Sequence, residues 1–402
     1  MSSTLEERDI HKRIHAKLKL VRYQPVSVAE VLKKLRLYLH TVIELGSFTY
    51  LSGDELAARH IIELESVVDE LAYQLLIHMA VVVGHDIDSA PKAAPIYMYV
   101  FGVDKIMDAF KDLASLVIKG VAPSKELYHQ LVAISNVVVT RIRGDRLAGR
   151  SVEELREKYA VEVLAILRGG KWILNPQDEV VREYDVIYVK GFKDNVGDLL
   201  EDIGEERPAE LKPPEGMEKI LSSITSMIDF LLVMNDLAHY QLKAQDPMLA
   251  EELLEMEVFL DDLRVDASKK IIGLQGLDET DKLALLTLIT RLEDTSDSLT
   301  YIIMMPAEEE CRELLSAILE EGSERIRVFR CWRRASLDEL AEKLEDLGAS
   351  ILAVRRGSEW IAVTPYNIHG LTVEPGDAIL VSYDVALEDE VLRLLGSLGV
   401  KA

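Results

Sequence analysis

The chain has 402 residues, 70 of them acidic and 46 Lys or Arg, for a formal net charge of −24. With 49% apolar and 29% charged residues it has the make-up of a folded globular protein, not a disordered one, and it is long enough for two to four cores. A balance this acidic speaks against nucleic acid as a partner, because phosphate recognition needs a basic surface.

The opening MSSTLEERDIHKR lacks the apolar centre of a signal peptide. Apolar runs such as Leu71 to Val83 keep polar residues on one side and are too short to cross a bilayer, so a cytoplasmic protein is expected. Between His11 and Arg36, Lys12, Arg13, Lys17, Lys19, Arg22, Lys33, Lys34 and Arg36, against Glu30 alone, make a basic segment. That pattern fits a solvated helix face, or a patch for an acidic partner or the inner face of a membrane. Pro25 and Ser27 announce a helix from Val28 to about Thr49, and Ser52-Gly53-Asp54 breaks it. A second helix, Glu55 to Val83, repeats apolar residues three and four apart through Leu64, Val68, Leu71, Leu75 and Met79. Gly84 to Pro95 reads as a loop, Ile96 to Ile118 as a third helix, and Ser124 to Ile134 as a shorter fourth. Three long helices with short connections predict an antiparallel bundle.

From Asn136 the period changes. VVVTRIRGDRL reads as a strand and SVEELREKY as a short capped helix. VLAILRGGKWILNP and VREYDVIYVKG read as strands around the Gly169-Gly170 turn. A helix from Asp194 to Ile203 closes a small α+β domain, and the charged, proline-rich stretch 201–216 reads as a linker. Then the series restarts, with helices from Met217 to Ala244, from Pro247 to about Lys270, from Asp278 to Met305 and from Pro306 to Glu321. A second strand set follows, ILAVRRGSEWIAVTP and VEPGDAILVS. Leu164-Ala165 and Leu352-Ala353 stand 188 positions apart (352 − 164), and Asp185 and Asp377 stand 192 apart (377 − 185). The expected fold class is α and α+β multidomain. A helical bundle with its basic segment spans 1–135, a small α+β domain 136–204, and a linker 205–216. A second helical bundle spans 217–322 and a second small domain 323–402. A tandem duplication of this kind offers two similar surfaces to each other, as a two-fold dimer does.

The usual catalytic and nucleotide motifs are missing: GxGxxG, GxxxxGK[ST], GxSxG and HExxH do not occur. Nine scattered histidines and two cysteines add no framework, so a non-enzymatic role is expected. Two constellations remain. Glu65 and Asp69 are four apart on one helix and Asp104 and Asp108 four apart on the next. Glu257 with Asp261, and Glu293 with Asp297, repeat them in the second half. Carboxylates at this spacing share a face and repel. They are either solvated, with Lys105 and Arg291 nearby, or gathered around a hard divalent cation. The basic constellation opens the small domains with Arg141 and Arg143, and with Arg325 and Arg327, joined by Arg168 and Arg356 before the glycine turns. Arginines here serve salt bridges to the bundles or a small anionic ligand between the small domains. Trp172 and Trp360, at matching places, read as core or interface residues.

The run Val163-Leu164-Ala165-Ile166, Arg168, Gly169, Asn175-Pro176, Asp185, Ile187, Val189, Gly191 resembles the TrkA-C (RCK_C) ligand-binding domain of potassium-conductance regulators. Ile351 to Val354, Arg356, Gly357, Pro365, Gly376-Asp377 and Ile379 resemble it again. Tyr184 stands where that family has Gly, and Thr364 where it has Asn. The helical segments resemble PhoU-like bundles, whose paired acidic motifs bind metal in some members. The resemblance implies a regulator or accessory subunit of potassium (cation) transport. It implies a membrane transporter or channel as partner, and a homo-oligomer or a pseudo-two-fold pairing of the small domains. A small anionic ligand such as a cyclic dinucleotide is implied as regulator, and a divalent metal as a candidate cofactor. The alternatives are a PhoU-like metal-binding regulator of phosphate uptake or signalling, and a ligand-blind scaffold.

Overall fold

The computed structural model describes residues 26–84, 88, 90–245, 247–304, 324–345, 347, 349–357, 359–363, 371–384 and 387–401. The expected helix from Pro306 to Glu321 and the basic residues before position 26 lie outside them. Helix α1 (Val28–Ser52) starts where the Ser27 hydroxyl accepts the N–H of Glu30 at 3.1 Å. It stops at Gly53, whose φ of 65° suits a residue without Cβ. Asp54 caps α2 (Glu55–Val83) by accepting the N–H groups of Leu56 and Ala57. Helix α3 (Ala90–Ile118) begins six residues before the expected Ile96 and takes Pro95 inside it. Pro95 is the sixth residue, past the first turn, so it gives up the bond to the Pro91 carbonyl and crowds that group. Helix α4 (Lys125–Ile134) follows.

Strands β1 (Val137–Arg143), β2 (Val161–Arg168), β3 (Lys171–Leu174) and β4 (Val186–Phe192) form an antiparallel sheet in the order β1-β4-β2-β3. The β2–β3 hairpin turns on Gly169 and Gly170 at φ 57° and 77°, the left-handed pair that a two-residue turn of this hand demands. Helices α5 (Val152–Tyr159) and α6 (Lys193–Asp202) cover one face through Leu155, Val196, Leu199 and Leu200 against Ile142, Val163 and Ile187. The linker is tied back to this domain by Arg207, which bonds Asp198 and Glu201.

Helices α7 (Met217–Ala244), α8 (Pro247–Gly273) and α9 (Glu279–Met304) repeat the long-helix series. They do not build a second, separately cored bundle as expected. α1, α2, α3, α7, α8 and α9 share one hydrophobic core. The reason lies in α3 and α9, which are apolar on more than one side and cross closely. A Cβ on Gly102 would come within 2.8 Å of the Ser298 carbonyl. Polar ties from α1 and from the cap of α4 also hold α9. The Tyr50 hydroxyl donates to the Ala284 carbonyl at 3.2 Å, and Asp281 accepts both the N–H and the hydroxyl of Ser124 at 2.7 Å. By length and composition α2 and residues Met217–Leu242 of α7 are long and apolar enough to cross a membrane, unlike the shorter run considered from sequence. Here both contribute to the shared core.

The second small domain comprises β5 (Glu324–Cys331), β6 (Ala335–Ser336), α10 (Leu337–Glu345), β7 (Ser350–Arg356), β8 (Glu359–Ala362), β9 (Thr372–Val373), β10 (Ala378–Asp384), α11 (Glu388–Ser397) and β11 (Val400–Lys401). Its main sheet runs β11-β5-β10-β7-β8, which without β11 is the order of the first sheet; β6 and β9 pair separately.

Candidate functional site

Among the described residues the predicted arginines are engaged by separate partners. Arg168 donates to both Asp185 oxygens at 2.9 and 2.8 Å, to Glu179 at 2.7 Å and to the Val180 carbonyl at 2.8 Å. Burial opposes the charge of Asp185, yet Arg168 and the N–H of Arg182 outweigh it and hold its pKa below the usual value. Arg356 repeats the arrangement on Asp377 at 2.9 and 3.1 Å. Both were expected to hold a ligand; in the structure each guanidinium bonds a carboxylate and a carbonyl of its own domain. Arg141 is likewise engaged, at 2.7 Å from the helix-capping Asp54. Arg143 is 71% exposed and bonds its neighbour Asp145, and Arg327 lies 3.4 Å from Glu388. The side chains of Arg325 and Trp360 lie outside the described residues.

The expected match of Arg141/Arg143 with Arg325/Arg327 also fails, by register. Arg141 stands opposite Tyr188 and Arg143 opposite Val186, whereas Arg325 stands opposite Tyr383, Arg327 opposite Val381 and Arg330 opposite Ala378. Ala378 is the counterpart of Val186 at the same spacing as Asp377 from Asp185, so Arg330, not Arg327, matches Arg143. The odd shift sends Arg327 to the opposite face of its sheet from Arg141.

The acidic residues do come together. Glu65 and Asp69 on α2 face Asp104 and Asp108 on α3, but the Lys111 ammonium bonds Glu65 and lies 3.2 Å from Asp108. Burial, then the charges of Glu65 and Asp104, push Asp69 up to about 7. Burial and Asp108 likewise raise Asp104. In the second cluster Asp261, Glu293 and Asp297 gather around Arg264, which bonds Asp261 at 2.5 Å and approaches Glu293 at 3.6 Å, and Glu257 stands beside Asp297. Burial and Asp297 raise Glu257, and burial raises Glu293. Each cluster holds a cationic side chain, and among the described residues no group of three His, Cys, Asp or Glu is set to hold a metal ion. The two cations come from different helices, Lys111 from α3 and Arg264 from α8.

Sequence reasoning missed the junction where the first sheet docks on the helices. One part is aromatic: the Tyr188 hydroxyl meets His60 Nδ1 at 2.8 Å, and Trp172 stacks on Tyr188 with centroids 5.9 Å apart. Burial and nearby Arg141 push His60 down to about 4, so the ring is neutral near pH 7. The other part is charged. Lys190 of β4 bonds Glu44 of α1, with 8% and 5% of each residue exposed. One turn away His40 holds Nδ1 3.5 Å from Asp236 of α7 and Nε2 4.0 Å from Glu44 Oε2. That Glu44 oxygen is buried and accepts no hydrogen bond. Glu162 of β2 stands opposite Lys190 in register. Below them the Asn235 carbonyl can only accept, so His239 carries its proton on Nδ1, at 2.8 Å, and its Nε2 accepts from Tyr99 at 2.9 Å. The sequence signal was present: Lys190 and Glu44 are lone charges inside the apolar runs VIYVKGF and TVIELGSF. The second sheet docks differently, through Arg355 on Glu252 of α8. A junction of this make-up can pass a displacement of the sheet to α1, α2 and α7.

Residues 137–204 match the TrkA-C domain, which is the first sheet with α5 and α6. No curated protein matches the chain. Among solved structures, the crystal structure of the GsuK RCK domain aligns at 13% identity and a TM-score of 0.18, covering 66% of this chain and 64% of that one. The GsuK channel bound to NAD aligns at 11% identity and a TM-score of 0.18, covering 75% and 66%. The chain thus spans just under two thirds of the length of these structures, and at such scores the likeness carries no weight for the fold as a whole.

Proposed function

We propose that this protein is a non-enzymatic regulatory subunit of potassium transport, in which the TrkA-C domain responds to a small anionic ligand and the helical body relays the response to a membrane transporter. The observation that carries the reading is a TrkA-C domain seated on long helices through buried, specific contacts at His60–Tyr188 and Glu44–Lys190. The shared strand order of the two sheets supports a tandem duplication. A ligand acts in this scheme only by binding two arrangements of the domain with different affinity. With Arg141, Arg168 and Arg356 internally committed, the register-matched Arg143 and Arg330 are the arginines best placed for it.

Calorimetry of the purified full chain against cyclic di-AMP, ATP, Mg²⁺ and Ca²⁺ tests the reading. Saturable nucleotide binding that disappears in the Arg143→Ala/Arg330→Ala double variant supports it, and silence toward every ligand leaves the ligand-blind scaffold. The rival reading, a PhoU-like metal-dependent regulator of phosphate uptake, draws support from the convergence of the two acidic quartets. Binding of Ca²⁺ or Mg²⁺ alone, lost on changing Glu65 and Asp69, would favour it.

A further inference from the structure

The charged part of the sheet–helix junction holds more ionisable groups than docking needs. α1 brings Arg36, His40 and Glu44; β2 brings Glu162, beyond which lies Arg156 of α5. β4 contributes Lys190. α7 contributes Asp236, His239 and, at its rim, Asp229, which burial and nearby Glu44 raise to about 6 while Lys190 works against them. α3 supplies only the neutral Tyr99 hydroxyl, already bonded to His239. Carboxylates outnumber the permanent cations, and one oxygen of Glu44 is buried without a hydrogen bond. His40 lies between two of the acids, one near each ring nitrogen. A neutral imidazole carries one N–H and can serve one of them; only the imidazolium serves both. With 35% of its side chain accessible, His40 can exchange its proton with water without the junction opening.

We propose that this junction is a proton-operated latch: docking of the TrkA-C sheet on α1 and α7 takes up protons, so acid clamps the two together and alkali loosens them. Burial opposes the charge on His40, but Asp236 and Glu44 outweigh it and hold its pKa above 6.5. Burial raises Glu162 above 4.5, with Lys190 working against it and Glu44 adding to it. Groups with raised values hold protons in the docked state that they release on undocking. Their contribution is whole below the ordinary values and is lost as pH rises through the docked ones. Asp236 is shifted down from 3.8 and Lys190 up from 10.5, so both titrate outside the neutral range. His60, at about 4, is outside it as well.

This inference goes beyond the transport reading, and its test involves neither ligand nor transporter. Hydrogen exchange is followed by mass spectrometry on the full chain at pH 6 and pH 8, corrected for intrinsic exchange, in the wild type, His40→Gln, Asp229→Asn and the double variant. One linked proton changes an opening equilibrium about tenfold per pH unit, and partial exposure of His40 reduces this. Amides of β2 and β4 are therefore expected to lose about three- to tenfold protection from pH 6 to pH 8, while those of α9 hold steady. Each single variant should flatten that loss and the double variant abolish it. Uniform protection across the two pH values in the wild type overturns the proposal, and so does an undiminished pH dependence in the double variant. Asp229 lies at the rim of the junction, so its variant keeps the test decisive if His40→Gln folds poorly.

Discussion

Replacing Asp69 by Asn removes a carboxyl that the fold holds under repulsion. Its pKa rises from 3.8 to about 7 through burial and the charges of Glu65 and Asp104, with Lys111 only partly offsetting them. A raised carboxyl favours the folded state while protonated, so its contribution is intact below pH 3.8 and disappears as pH climbs through 7. A shift of that size corresponds to about 4 kcal/mol at most. Solvent access at the half-buried side chain screens the repulsion, leaving an expected effect of about 1–2 kcal/mol. Asn is isosteric and cannot ionise. Asp69→Asn should therefore melt higher than the wild type at pH 8, by roughly 2–4 °C in a chain of this size, with the difference shrinking toward zero as pH falls below 5. Thermal unfolding followed by circular dichroism across pH 4–8 measures it. A variant no more stable than the wild type at pH 8, or equally stabilised at every pH, would refute the account of this cluster.

Arg168→Ala should be far more damaging, because it strands Asp185, a residue only 3% exposed, without its bidentate partner. The loss is expected at about 3–5 kcal/mol, read as early exchange or proteolysis confined to residues 137–204. Lys111→Ala should destabilise the helical body by about 1–3 kcal/mol and make its melting temperature respond to millimolar Ca²⁺; indifference to Ca²⁺ would show that the quartet cannot hold a cation at all. Gly144→Ala forces a Cβ to 2.2 Å from the Arg182 carbonyl, a backbone atom that cannot step aside. A cost of about 1–3 kcal/mol in denaturant unfolding is expected. Tyr50→Phe removes the hydroxyl bonded to Ala284 across the shared core and should cost about 1 kcal/mol, with the m-value unchanged.

Helix and strand positions were legible because the periods are strong and the punctuation is chemical: Ser27 as a cap, Ser52-Gly53-Asp54 as a break, the glycine pair at 169–170 as a turn. The acidic quartets were legible as neighbours because i, i+4 spacing fixes a face. What filled them was not, since Lys111 and Arg264 reach in from different elements and neither belongs to the repeat. The arginine constellation misled because the RIR triplets at 141–143 and 325–327 look alike. Strand register, set by pairing with β4 and β10, decides which face a residue takes, and a local motif carries no record of it. The junction was illegible for a related reason. Glu44 and Lys190 lie far apart in sequence, and each looks like a lapse in an apolar run until the other is placed beside it.

The shifted register of β1 and β5 also bears on how such a protein can change over time. In a homodimer every substitution appears on both sides of the axis, so a residue useful on one side must be tolerated on the other. A chain that carries both halves is free of that constraint. Arg141 anchors the first sheet to the cap of α2, and the position of matching register in the second sheet is Val328. Receptor and anchor duties can drift to different halves, and a ligand that bridges the two small domains would meet unlike walls. Such a ligand would bind in one orientation, at one molecule per chain.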